Sequence, residues 1–269
     1  MSSPFPWSLD YWSSGECQAA REKLDDEVAK GFKINPERKS LFRALSLTPE
    51  PKVRVCVIGQ DPYPSHRYAT GVAFSLPTEI PEREWPPTFR CFINEYSSDL
   101  GLSRPSNGNL EQWCSEGVLL WNAIPSCREG ASLSHNWPGD EWYGLTAEIV
   151  QRLSRKGIVF AFLGSTARRF VDLVDDRSAT IVTSHPSPRG SLHSKTPFTG
   201  SRLFSTINAR LVELGLETVD WRLDGSLSEK DLQGSDLGGS SLLDNITGAD
   251  LGGLKGSHKP NLAVSTFEL

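Results

Sequence analysis

At 269 residues, 38% of them hydrophobic, the chain is long enough for one large domain or two small ones and can bury a sizeable core. Eight tryptophans and twelve phenylalanines exclude an extended disordered chain. A net charge of −5 excludes a uniformly cationic polyanion binder, so any contact with nucleic acid must use a local basic patch. Five cysteines, Cys17, Cys56, Cys91, Cys114 and Cys127, are odd in number and contain no Cys-x-x-Cys pair. That is the usage of reduced thiols in the cytoplasm, with neither structural zinc nor an iron–sulfur cluster expected. The start, Met1-Ser2-Ser3-Pro4-Phe5-Pro6-Trp7, has no basic n-region and no apolar h-region, so no signal peptide is expected there. No apolar run approaches the roughly 18 residues of a membrane span, and no membrane partner is expected.

In chain order, a helix is expected over residues 15–32. Residues 53–58 are β-branched, end at Gly59 and read as a buried strand. Pro86 and Pro87 announce a helix over 88–100. A second strand covers 117–124 and stops at Pro125. A helix over 140–155 places Trp142, Leu145, Ile149 and Leu153 at three- to four-residue spacing. A third strand, 158–163, stops at Gly164 and leads into a helix over 166–174. A fourth, 179–183, runs ahead of His185-Pro186, and a helix over 201–214 closes the pattern. Near-continuous apolar strands alternating with helices imply an α/β fold. The expected architecture is a central four-stranded, mainly parallel, twisted sheet flanked by helices on both faces.

From about residue 224 the composition shifts to Gly, Ser, Asp and Leu. Leu232, Leu237 and Leu242 recur five apart, which hints at pentapeptide-type repeats but is too short for a solenoid. From residue 222 onward there are four Lys/Arg against seven Asp/Glu, leaving only −2 on residues 1–221. The expected organisation is a catalytic domain over 1–223 and a flexible or loosely docked tail over 224–269.

Each strand ends in a compact polar or Gly/Pro motif: Gly59-Gln60-Asp61-Pro62-Tyr63, Asn122, Gly164-Ser165-Thr166 and His185-Pro186-Ser187-Pro188. Ligands of open α/β sheets bind outside the carboxyl ends of the strands, so the four can converge on one cleft. There, Asp61 and His185 form a general-base or electrostatic pair. Asn122 offers one donor and one acceptor to a base edge, and Tyr63 and Phe74 offer flat walls. Singly, each has a structural alternative: an Asp-Pro turn, a satisfied core amide.

These motifs, taken with Gly71-Val72-Ala73-Phe74-Ser75, Trp85-Pro86-Pro87-Thr88, residues 117–124, Ser134-His135, Leu163-Gly164-Ser165 and the run Phe198-Thr199-Gly200-Ser201-Arg202-Leu203-Phe204-Ser205, resemble family-1 uracil-DNA glycosylases in order and spacing over about residues 50–215. The resemblance implies a monofunctional DNA-repair hydrolase, without a lyase step, that flips uracil from single- or double-stranded DNA and leaves an abasic site. It implies that Asp61 steadies the oxocarbenium-like sugar and positions water. His185, preferably as neutral imidazole, and the Gln60 main-chain N–H would serve uracil O2. Phe74 would stack on uracil, Asn122 would read its edge, and Tyr63 would exclude the thymine methyl. Pro86, Pro87, Thr88, Ser165, Ser187, Arg189, Leu192, His193, Lys195 and Arg202 would face DNA. No metal or cofactor is implied, and the expected state is a monomer that also holds its abasic product.

Two positions depart from the family. Pro64 stands where the family places a His that supports the water and phosphate side, a duty that could shift to Ser65, His66 or Arg67. Arg189 stands where the family usually places a wedge Leu, in a loop that is longer here. Arg189, His193, Lys195 and Arg202 would then make the basic patch, with Leu192 a displaced wedge, tight abasic-product binding and altered sensitivity to DNA-mimicking inhibitors. The alternative to an enzyme is a damage sensor on the same fold with weak catalysis. A nucleophile-elbow hydrolase would need Gly-x-Ser-x-Gly, which the sequence lacks.

Overall fold

The computed structural model describes residue 7, residues 15–189 and residues 194–224, all within one compact unit, Met1–Lys230. Its centre is a sheet of four parallel strands: β2 (Val55–Gly59), β3 (Val118–Asn122), β5 (Val159–Leu163) and β6 (Ala179–Thr183), in the order β3-β2-β5-β6. Every residue of β2, β3 and β5 is buried, which requires cover on both faces and explains their unbroken apolar sequence. β6 is an edge strand and only partly buried.

The chain leaves β2 for β3 on one side and continues through β5 to β6 on the other. The switch point therefore lies beside the carboxyl end of β2, where a crevice forms.

The flanking helices are α1 (Gln18–Ala29), α2 (Arg43–Leu47), α3 (Pro87–Leu100), α4 (Glu111–Ser115), α5 (Tyr143–Ser154), α6 (Ser165–Arg168) and α7 (Leu203–Glu213). Pro86 caps α3 and Pro87 is its first residue, where a missing N–H costs nothing. The expected helix at 140–155 begins three residues late. Asp140 has φ 52°, outside the helical region, and its carboxylate is held by Arg169. The expected helix at 166–174 divides into α6 and a 3-10 turn, Val171–Leu173, around the buried Phe170, which stacks on Tyr143 at 4.9 Å.

One feature has no sequence periodicity at all. β1 (Ile34–Asn35) pairs antiparallel with β4 (Cys127–Arg128), placing Ile34 against Arg128 and Asn35 against Cys127. A buried polar network reinforces this ribbon. Arg128 donates from Nε and Nη2 to Glu27 of α1 at 2.6 and 2.7 Å. His135 Nε2 lies 3.3 Å from Glu27, and its Nδ1 lies 2.7 Å from Ser126 Oγ, which also accepts from Trp142 Nε1. These contacts fit a neutral imidazole protonated on Nε2. Burial pushes the His135 pKa down, against the pull of Glu27, while the Arg128 hydrogen bonds hold the Glu27 carboxyl below its usual range. The loop after β4 is thereby tied to the N-terminal helix.

Residues 190–193 and 225–269 lie outside the described residues, and with them fall Leu192, His193, the Leu232–Leu237–Leu242 repeat and almost all of the expected tail.

Candidate active site

A cavity of about 90 Å³ opens at the carboxyl ends of the parallel strands, and Asp61, Phe74, Asn122 and His185 all line it. Tyr63, Pro64, Thr88 and Ser132 complete much of its wall. The β2–β3 ladder continues into this rim: Ala123 N–H donates to Gly59 O and Ile124 N–H to Gln60 O, at 3.1 and 3.0 Å. Asn122 is thus fixed beside Gly59 by strand register.

Gly59 is needed for close approach. A Cβ there would lie 2.8 Å from Phe74 Cζ and 2.9 Å from Asn122 Oδ1. The base of the cavity can be floored by a ring and an amide because the strand end carries no side chain. Asn122 is only 9% exposed, yet among the described residues no hydrogen bond engages its amide. Its amide faces the open cavity, where a ligand can supply one donor and one acceptor.

Phe74 takes φ 65°, a left-handed conformation rare for a non-glycine residue. Two contacts hold it. Tyr63 OH donates to Phe74 O at 2.9 Å, and the Phe74 ring stacks on Phe92 of α3 at 4.8 Å and 11°. Phe92 stacks in turn on Phe198 at 5.7 Å. Burial drives the Tyr63 phenol pKa upward, so it remains a neutral donor.

Asp61 is gripped by three donors. Gln60 Nε2 reaches Oδ1 at 2.9 Å, Ser132 Oγ lies 3.1 and 2.9 Å from the two oxygens, and Leu133 N–H donates to Oδ2 at 2.5 Å. Leu133 adopts φ 58° in doing so. Ser132 and Leu133 were not expected from the sequence; the only pointer nearby was Ser134-His135. Ser134 Oγ accepts from Arg128 N–H at 2.7 Å, and His135 is buried in the Glu27 network, so those two residues hold the turn that carries the grip.

His185 enters from beyond β6. Gly164, at φ +98°, gives it room: a Cβ there would stand 3.0 Å from His185 Cβ. Burial pushes the His185 pKa below its ordinary value, and the Asp61 charge opposes this. The net shift is downward, so the ring is neutral at pH 7.

The remaining expected residues differ in exposure and in whether they line the cavity. Thr88 lines the cavity in the first turn of α3. Pro86 is half-buried and Pro87 exposed at the same helix start. Ser165 is exposed at the start of α6, and Ser187 is half-buried. Arg189 and Lys195 are exposed. The Arg202 guanidinium lies 3.7 Å from Asp99, so its charge is partly engaged within the protein. The loop that carries Arg189 and Lys195 is clamped at its base, where Ser184 N–H donates to Thr196 O at 2.7 Å and Phe198 N–H to Ser184 Oγ at 3.0 Å. Glu95 of α3 accepts from Gly200 and Arg202 N–H at 2.6 and 2.7 Å. Near Pro64, His66 Nδ1 lies 3.4 Å from Glu129, and Arg67 is paired with Glu84, so both side chains face carboxylates. Among the described residues, no group of three or more His, Cys, Asp or Glu could hold a metal, and no helix is long and apolar enough to cross a membrane.

The uracil DNA glycosylase superfamily profile matches residues 46–212, a span that contains the whole cavity. A uracil-DNA glycosylase of Coxiella burnetii is 38% identical over 205 residues, covering 75% of this chain and 86% of that protein. One from Mycolicibacterium gilvum is 36% identical over 222 residues, covering 80% and 95%. The crystal structure of mimivirus uracil-DNA glycosylase superposes with a TM-score of 0.71 at 23% identity, over 80% of this chain and 85% of that one.

Proposed function

The chain belongs to the uracil-DNA glycosylase superfamily and excises uracil from DNA by hydrolysing its N-glycosidic bond, and we propose that Asp61 and His185 carry the chemistry while Phe74, Asn122, Tyr63 and Gln60 select the base. The observation that supports this most is the convergence of Asp61, Phe74, Asn122 and His185 on one cavity.

The target base leaves the helix and enters the cavity. Phe74, backed by Phe92, offers its ring for stacking, worth about 0.5–1.5 kcal/mol beyond buried area. The unpartnered Asn122 amide accepts from uracil N3–H and donates to O4. Cytosine presents the reverse pattern and leaves polar groups mispaired, at about 1–3 kcal/mol each. Tyr63, fixed by its bond to Phe74 O, occupies the space a thymine methyl would need. As the bond breaks, charge separates into an oxocarbenium-like sugar and a uracil anion. The Asp61 carboxylate faces the cation and orients the attacking water. The neutral His185 ring donates to O2 of the leaving anion, aided by the Gln60 N–H. A neutral donor costs less to bury than an imidazolium and still stabilises developing negative charge.

Thr88, which lines the cavity, together with Ser165 and Ser187 holds phosphates without reading sequence. Pro86 and Pro87 fix the start of α3 beside them. Arg189, Lys195 and Arg202 face the duplex and hold the abasic product; Leu192 and His193 lie outside the described residues. Residues 1–223 act as the catalytic domain, as a monomer; 225–269 lie outside the described residues.

The test is uracil release from single- and double-stranded uracil-containing DNA by wild type and Asp61→Asn. Loss of about three orders of magnitude in kcat, with DNA affinity kept, is expected. Wild-type release by Asp61→Asn would remove that residue from the mechanism.

A further inference from the structure

The Asp61 carboxylate can act on water only if its oxygens keep one orientation while the cavity fills. Its side chain sits in a turn at the end of β2, where the backbone alone does not fix the carboxylate plane. Of the neighbouring residues, Gln60 reaches one carboxylate oxygen and the rest contribute nothing. Pro62 and Pro64 carry no donor, and Tyr63 OH is committed to Phe74 O. Among the described residues, the donors that reach Asp61 are the Gln60 amide, the Leu133 N–H and the Ser132 hydroxyl. Of these, Ser132 alone lies within hydrogen-bond distance of both carboxylate oxygens, at 3.1 and 2.9 Å, and it also lines the cavity.

Ser132 is exposed, so this contact does not arise from core packing. It is nevertheless well held. Leu133 accepts a left-handed φ of 58° in the turn, Gly130 N–H donates to Pro64 O at 2.7 Å, and Asn136 N–H donates to Leu133 O at 3.0 Å. Arg128 and His135 anchor the two ends of the turn on Glu27.

We propose that Ser132 is a positioning residue for uracil excision, its hydroxyl fixing the Asp61 carboxylate in the plane that presents it to the attacking water. This rests on the reading of Asp61 given above. Ser132 acts through Asp61 and need not touch the base, so its removal slows turnover without weakening DNA binding. A hydrogen bond to a charged group, once lost, corresponds to about a tenfold or greater change in rate.

The experiment measures kcat and KM for uracil release from a uracil-containing duplex oligonucleotide with the full chain carrying Ser132→Ala, Ser132→Thr, Asp61→Asn, or Ser132→Ala with Asp61→Asn. Expected are a kcat about tenfold lower for Ser132→Ala with KM within about twofold, near-wild-type turnover for Ser132→Thr, and no further loss when Ser132→Ala is added to Asp61→Asn. Wild-type kcat in Ser132→Ala, a loss confined to KM, or losses that multiply in the double variant would each overturn the proposal. A melting temperature for each variant separates these outcomes from misfolding, and Ser132→Thr keeps the hydroxyl if the alanine variant is unstable. If Asp61→Asn is inactive while Ser132→Ala is fully active, Ser132 alone loses its role. If Asp61→Asn is itself active, the reading of Asp61 falls first.

Discussion

The floor of the cavity and its rim are built in opposite ways. Asn122 and Gly59 end fully buried parallel strands and Phe74 stacks on Phe92 of α3, so each is fixed by register, close approach or ring stacking. Arg189 and Lys195 stand exposed on either side of residues 190–193, which lie outside the described residues, and Ser184 ties this segment at its base. On the proposed roles, the difference teaches that base selection belongs to the core, where a shift of a few tenths of an ångström is felt, and the grip on DNA to a surface, where charge counts more than position.

Several substitutions would break or sharpen that contrast. The largest effect is expected at the floor. Gly59→Ala would force a Cβ to within 3 Å of both Phe74 and Asn122. Uracil-release kinetics should show kcat/KM down by about a hundredfold, because misplacement near 1 Å costs that much. Next is the support beneath the rim. Glu27→Ala would leave Arg128 and His135 without their shared acceptor, and thermal unfolding should report a destabilisation of about 1–3 kcal/mol. That is a melting-temperature drop of about 2–12 °C. If the melting temperature holds, the network is not what anchors the 128–136 turn.

At the surface the effects should be smaller and of another kind. Arg189→Ala should weaken abasic-DNA affinity by a few-fold and reduce the salt slope of binding by about one unit, with kcat for uracil release unchanged. Equal product affinity for variant and wild type would exclude Arg189 from product binding.

The smallest effect expected is the dependence of stability on pH. His135 and His185 are both held below the ordinary value of 6.5 by burial. As pH falls below about 6.5 the unfolded chain takes up protons before the folded one does, so stability declines toward acid. Above that value neither group contributes a slope. His185→Gln should flatten the melting-temperature curve between about pH 5 and 6.5, and an unchanged curve would mean that the ring titrates normally in the folded state.

The sequence by itself determined the four strands: β2, β3 and β5 are buried throughout and read as unbroken apolar runs, while the partly buried edge strand β6 reads through its β-branched residues. It also determined where the polar motifs fall, since Gly59, Pro125 and Gly164 punctuate those runs and leave Asp61, Asn122, Ser165 and His185 just at or beyond their ends. Only the tertiary structure decided the rest. β1 and β4 are two residues each and carry no period, and Glu27 reaches Arg128 across 101 positions of sequence. Ser132 and Leu133 meet Asp61 from 71 and 72 residues away, through a turn with a strained leucine that no local pattern announces. The physical reason is the same in each case. Burial and backbone punctuation are written locally, in runs of side chains, whereas a polar contact depends on where two distant segments are brought to rest.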